Sequence, residues 1–184
     1  MAELILGLTG PISCGKGTVK KYIVEKYKAE DCRFSTILRD VLNRVDLPTS
    51  RDNLIKVSTV LRQTFGEDLL AKAIAKDASG LNSKVVVIDG IRRMTDIGHL
   101  INLPHFVLVS VDASPKVRHE RLVLRKENEG DAQKTFEDFL ADHRRETEIT
   151  IPEVMSQARE KINNDGDFTV LYKQVDTIIS KYIK

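Results

Sequence analysis

A chain of 184 residues, 41% hydrophobic and 30% charged, with 29 Lys+Arg against 27 Asp+Glu, is sized and balanced for one globular domain with its own core. A chain this long buries most of the surface its unfolded form exposes, and its two cysteines, Cys14 and Cys32, exclude a disulfide framework and a Cys/His metal array. Cysteine usage of this kind fits a reducing, cytoplasmic setting. A net charge of +2 does not support a nucleic-acid or anionic-membrane partner, because such binders carry clustered charge and a domain pI above about 9. The apolar run Leu4–Leu8 is too short for a signal-peptide core and lacks a basic leader, so no membrane segment is expected.

In chain order, Glu3–Thr9 is a continuous apolar run ending at Gly10-Pro11, the pattern of a strand buried on both faces. From Gly17 to about Ala29, Val19, Tyr22, Ile23 and Tyr27 recur at helical spacing, with Lys20, Lys21, Glu25 and Lys26 opposite. Asp31–Ser35 reads as a short second strand. Ile37, Leu38, Val41, Leu42 and Val45 mark a helix closed by Pro48; Leu54, Val57, Leu61 and Phe65 mark another, and Gly66 breaks the pattern before Leu69–Ile74 resume it. Lys84–Ile88 is the clearest β-branched strand and is expected to stop at Asp89-Gly90. One short helix fits before the strand His105–Val111, and Ser114-Pro115 then opens a helix with proline at its first position. Thr135 with Asp138 starts a further helix that carries Arg144-Arg145. Lys161–Asn163 forms a short last strand, and Leu171, Val175, Ile178, Ile179 and Tyr182 define a terminal helix. Alternation of strands and helices predicts a parallel α/β sheet, in which ligands bind beyond the carboxyl ends of the strands.

Directly after the first strand comes Gly10-Pro11-Ile12-Ser13-Cys14-Gly15-Lys16-Gly17-Thr18, with the spacing Gly, four residues, Gly, Lys. A strand before it and an amphipathic helix after it let the backbone N–H groups of Ser13 to Lys16 converge on an anion at a helix N-terminus. Glycine serves where the backbone wraps phosphate oxygens, and Lys16 sets an ammonium beside the terminal phosphates. The strict pattern places Ser or Thr directly after the lysine, whereas here Gly17 intervenes and Thr18 follows.

This Gly-Lys-Gly-Thr form resembles adenylate kinase and its relatives, the P-loop nucleoside and deoxynucleoside monophosphate kinases. The resemblance implies a three-layer α/β/α P-loop NTPase fold with a five-stranded parallel sheet in the order 2-3-1-4-5. It implies one domain over 1–184, with a helical acceptor-binding insertion at about 36–80 and a short lid at about 118–145. ATP and Mg2+ are the cofactors it implies, with the metal held by phosphates and ordered water near Asp89 rather than by a direct protein ligand.

Val85–Ile88 followed by Asp89-Gly90-Ile91-Arg92-Arg93 is similar to the family segment in which a strand ends in Asp-Gly and an arginine grips the acceptor phosphate. Either Arg92 or Arg93 can be that contact, since arginine clamps phosphate in a planar, bidentate way. The absence of Phe-Pro after Asp-Gly brings the segment closer to the deoxynucleoside monophosphate kinase-like and dephospho-coenzyme A kinase-like branch. In Phe34–Arg39, Ser35 or Thr36 is expected to cap a helix and Arg39 to reach the acceptor, with Arg62 as a second candidate from the same insertion.

Arg118, Arg121 and Arg125 lie on the helix after Ser114, the last two on one face, and the family's lid arginines fold over the transferring phosphoryl group. The run Lys126–Lys134 reads as a polar loop, without a cysteine quartet for zinc. Asn164, in Asn163-Asn164-Asp165-Gly166, matches the family loop that packs on the ATP base. The four histidines show no ligand spacing, and Cys14 reads as a small loop residue or as a thiol activated at a helix N-terminus.

The reading is therefore ATP-dependent transfer to a nucleoside or deoxynucleoside monophosphate, a small-molecule acceptor, with no nucleic-acid or membrane partner. Dephospho-coenzyme A kinase and a non-catalytic ATP-binding switch are the alternatives. Asp-Gly-Ile-Arg-Arg favours a nucleotide acceptor over the first, and the number of arginines near the strand ends favours transfer over the second.

Overall fold

The computed structural model describes residues 2–125, 131–142 and 149–183. Five strands form one parallel sheet: β1 (Leu4–Thr9), β2 (Glu30–Arg33), β3 (Val85–Ile91), β4 (Phe106–Asp112) and β5 (Glu160–Asn163), in the spatial order β2-β3-β1-β4-β5. The order is the one expected. Side chains alternate across β1 and β3, and the two sets fill separate cores. Leu4, Leu6, Leu8, Val85 and Val87 pack with Val19, Ile23, Leu171, Val175 and Ile179 on one face; Ile5, Val86 and Ile88 pack with Phe34, Leu38, Leu70 and Ile74 on the other.

The first core lies under α1 (Lys16–Tyr27) and the terminal helix, and the second under α2 (Phe34–Arg44), α3 (Arg51–Phe65) and α4 (Leu69–Gly80). Then follow α5 (Met94–Ile97), α6 (Pro115–Arg125), α7 (Phe136–Asp142), α8 (Ile151–Ser156) and α9 (Phe168–Ser180). Tyr22 on α1 stacks on Tyr172 of α9 with ring centroids 4.0 Å apart, and Tyr22, Tyr27 and Lys26 all donate to the carboxylate of Asp176. Burial, with Asp176 beside it, pushes the Tyr27 hydroxyl up to about 12, so it remains a donor. These contacts clamp α1, and hence the loop at its N-terminus, to the C-terminal helix.

Two local expectations are corrected, and one helix is new. β3 does not stop at Asp89-Gly90 but runs to Ile91, because Gly90, at φ 95°, forms a bulge: Leu8 pairs with Asp89 and Thr9 with Ile91. Neither Ser35 nor Thr36 caps α2, which starts at Phe34 with Arg33 in the cap position and no side-chain cap, since Phe34 is drawn into the core. The short helix α8, anchored by Ile151 and Val154 with Pro152 in its first turn, was not read from the sequence. Of the expected lid, residues 126–130 and 143–145 lie outside the described residues, and with them Arg144 and Arg145. Among the described residues no helix is long and apolar enough to cross a membrane.

Candidate functional site

The carboxyl ends of the five parallel strands face the loops that carry nearly every candidate residue. Between β1 and α1 the chain makes a tight concave turn with Gly10 at φ 145°, Ser13 at 59° and Gly15 at 101°. Gly15 is the N-cap of α1, the helix has no side-chain cap and no acid in its first turn, and the Ser13 hydroxyl oxygen is buried with no hydrogen-bond partner among the described residues. Where α3 and α9 cap their first turns with Ser50 and Asp167, α1 presents its leading amides uncapped, the arrangement that favours an anion.

Lys16 lies across this turn, its Nζ donating to the carbonyls of Gly10 (2.6 Å) and Pro11 (3.0 Å), with Cys14 Sγ at 3.6 Å. Cys14 is fully buried, its sulfur held beneath the turn beside Lys16 and Gly10. The other cysteine, Cys32, has its thiol pushed up to about 12 by burial, which removes it as a nucleophile.

Asn164 sits behind the turn rather than on its outer surface. Its side chain is buried and donates from Nδ2 to the Cys14 carbonyl (2.9 Å), bracing the loop from β5. The neighbouring Asp165 accepts from the Ser114 N–H at 2.6 Å, which holds its carboxyl below the usual value, with Arg121 adding to the attraction. An open groove of ≈ 390 Å³ beside the loop exit is lined by Gly17, Thr18, Lys21, Tyr22, Phe168 and Tyr172. Phe168 is 63% exposed and its ring is stacked 5.9 Å from Tyr172.

A Cβ added to Gly17 meets nothing within 4 Å. Gly17→Ala is therefore expected to raise stability by about 0.5–1 kcal/mol through helix propensity, seen as a small rise in the thermal midpoint. A lowered midpoint would contradict the open geometry.

Asp89 is buried on β3, one place before the bulge, and its Oδ2 faces Arg33 Nε at 3.3 Å. Arg92 is exposed at the start of the next loop, and its carbonyl accepts from Thr150 Oγ1 at 2.7 Å. Arg93 is partly buried with Nη1 3.5 Å from Glu67 Oε2. Among the described residues Arg39, exposed on α2, has no partner, and neither has the buried Ser35 hydroxyl oxygen one turn before it. Arg62 differs from expectation: it is only 5% exposed, and its Nη2 pairs with Asp96 Oδ1 at 2.6 Å, so its charge is spent inside the protein.

On the far side, Arg118 is buried at the base of α6. Its Nε donates to the Ala113 carbonyl (2.9 Å), its Nη1 to Ile12 in the phosphate loop (3.5 Å), and its guanidinium lies 5.5 Å from the Phe139 ring. Arg121 has a buried Nη1 with no hydrogen-bond partner among the described residues, and Arg125 is exposed at the end of α6. Asp96, Arg33, Arg118 and Phe168 were not singled out for these roles from sequence. Of these, only Asp96 carried a local signal, an acid three residues after a helix start.

A family model described as AAA domain matches residues 9–140. A UPF0200 protein of Thermococcus gammatolerans is 31% identical, the match covering 91% of this chain and 92% of that protein. Among solved structures, a shikimate kinase from Bacteroides thetaiotaomicron superposes with a TM-score of 0.60 at 16% identity, covering 97% of each chain. A gluconokinase from Sinorhizobium meliloti gives 0.59 at 12% identity, covering 97% of this chain and 93% of its own. At such identities these two structures establish the fold alone.

Proposed function

This chain belongs to the AAA-domain family and to the UPF0200 proteins and has a P-loop kinase-like fold, and on that premise we propose that it transfers a phosphoryl group from ATP to a nucleoside or deoxynucleoside monophosphate. The observation that carries the reading is the β1–α1 turn. Its uncapped amides, positive φ angles and orphaned buried Ser13 hydroxyl suit it to a polyphosphate, and Lys16 crosses it.

Phosphoryl transfer asks the protein mainly for alignment and charge stabilisation. The loop amides, Ser13, Lys16 and Thr18 hold the donor phosphates. Phe168, exposed beside Thr18, offers the donor base an aromatic face that buried Asn164 does not. Arg39 with Arg92 or Arg93 grips the acceptor phosphate, and Arg121 and Arg125 approach the transferred group from α6.

The residues fit a magnesium ion held by phosphates and water. Asp89 is a single buried carboxylate at the strand ends, and no group of three His, Cys, Asp or Glu gathers among the described residues. Bound there, the metal would neutralise charge on the phosphates, while Asp89 orients its water. The arginine-rich surround keeps charge balanced while closure excludes water, since an open site would let ATP hydrolyse.

A coupled assay with Mg-ATP tests the reading against AMP, GMP, CMP, UMP, their deoxy forms and dephospho-coenzyme A. Turnover with a nucleoside monophosphate is expected. Turnover with dephospho-coenzyme A alone would move the acceptor, and an ATP-induced thermal shift with no product from any acceptor would favour a binding switch.

A further inference from the structure

Helix α3 is 15 residues long, yet Arg62 is its one fully buried residue among its described side chains, while Ile55, Val60 and Phe65 stand exposed. Leu54, Val57 and Leu61 pack on the second core while only partly buried, and Arg62 ties the helix to the body of the protein by a buried ion pair. Its partner, Asp96 on α5, is 2% exposed and uses both carboxylate oxygens. Oδ1 accepts from Arg62 Nη2 at 2.6 Å, and Oδ2 accepts from the backbone N–H of Arg92 and of Arg93, each at 3.0 Å. Arg62 also donates from Nη1 to the Glu67 carbonyl, and its Nε has no partner among the described residues.

Burying two charges is costly, and apolar residues of similar volume would hold two helices together at least as well. What an apolar pair cannot do is accept from two consecutive amides. Those amides belong to the two arginines offered to the acceptor phosphate. Fixing both N–H groups fixes the backbone of the segment, and with it the directions in which the two side chains leave the chain.

We infer that Asp96 is the positioning residue that orients the Arg92–Arg93 pair. Arg62, carried on the acceptor insertion, holds Asp96 in register and so couples the placement of α3 to acceptor binding. The inference rests on the phosphoryl-transfer reading of the same site. Asp96 touches no reacting atom; it acts through the two arginines.

Three variants test it: Arg62→Met, Asp96→Asn and the double replacement. Arg62→Met leaves the carboxylate and both amide bonds in place but removes the anchor. Asp96→Asn sets an amide NH2 against the guanidinium, and should it fail to fold, Arg62→Met carries the test alone. Amide hydrogen exchange followed by NMR is expected to speed up at Arg92 and Arg93 by about tenfold or more in Arg62→Met, with the β1 and Lys16 amides unchanged. In steady state the KM for the nucleoside monophosphate rises by about tenfold while the KM for ATP stays within about twofold.

The double variant loses no more than Asp96→Asn, because both changes act through one carboxylate. Unchanged exchange and unchanged acceptor KM in Arg62→Met would overturn the inference. So would parallel rises in both KM values, the mark of a general loosening. Failure of the kinase reading is told apart because it appears in the wild type, as absence of product from every acceptor, and takes the acceptor half of the inference with it.

Discussion

Lys16→Ala is expected to lose phosphoryl transfer while the chain still folds. The ammonium contributes to the fold through two hydrogen bonds to carbonyls of its own loop, at 2.6 and 3.0 Å, both at a partly exposed site where water can replace it. The loss in stability is therefore about 1 kcal/mol, the ordinary net value of such bonds. Its contribution to catalysis is of another order. On the phosphoryl-transfer reading, charge would develop on the transferred group in a site closed to water, where one preorganised donor is worth about 10²–10³-fold in turnover. The variant's kcat/KM should fall by at least that factor, with a thermal midpoint close to wild type. Turnover near the wild-type rate would sink the assignment of the loop as the donor site, whatever else binds there.

How much of this was legible beforehand follows from the range of the interactions. The loop is nine consecutive residues, and its strand-before, helix-after context is local, so spacing and glycine placement were enough to find it. The strands were legible because apolar runs bounded by turn residues mark a buried parallel sheet. The strand order followed from the family resemblance. Sequence ends β3 early because Asp-Gly is an everyday turn signal, and only pairing with β1 shows that the chain bulges at Gly90 and continues.

Side-chain roles set by long-range pairing were the least legible. Arg62 and Asp96 are 34 residues apart, and Asn164 reaches Cys14 across 150. On a helix pattern Arg62 looks like any surface arginine, and nothing local distinguishes a buried arginine from an exposed one. Asn164 occupies an Asn-Asp-Gly stretch that reads as a solvent turn, whereas tertiary packing tucks its amide under the phosphate loop. The near-neutral composition concealed charge that is sorted by position. Arg39, Arg92, Arg93, Arg121 and Arg125 all stand in elements that follow the carboxyl ends of the strands, while Arg62 and Arg118 turn inward as struts.

Alanine at Gly10 should be the most damaging single-methyl change in the protein. The added Cβ would lie 2.0 Å from the Val111 carbonyl oxygen at the end of β4, and that atom is backbone in the middle of the sheet, so it cannot turn aside. Gly10 also has φ of 145°, which costs an L-residue further. Strain and overpacking at about 1–3 kcal/mol each give a loss of about 2–6 kcal/mol, or about 4–24 °C in a domain of this size.

Gly15→Ala follows, for a different reason. At φ 101° its Cβ would lie 2.1 Å from Asn164 Nδ2, a side-chain atom that can move, but only by releasing the buried Cys14 carbonyl it serves. Removing the obstacle with Asn164→Gly should therefore relieve the collision in Gly15→Ala without restoring the brace. Both glycine variants should also lose the stabilisation that Mg-ATP gives the wild type, because the amides at the α1 N-terminus no longer converge. Thermal melts with and without Mg-ATP read all of this, with Gly17→Ala as the methyl that meets open space. A Gly10→Ala midpoint within about 2 °C of wild type would mean that β4 does not press on the loop as the geometry requires.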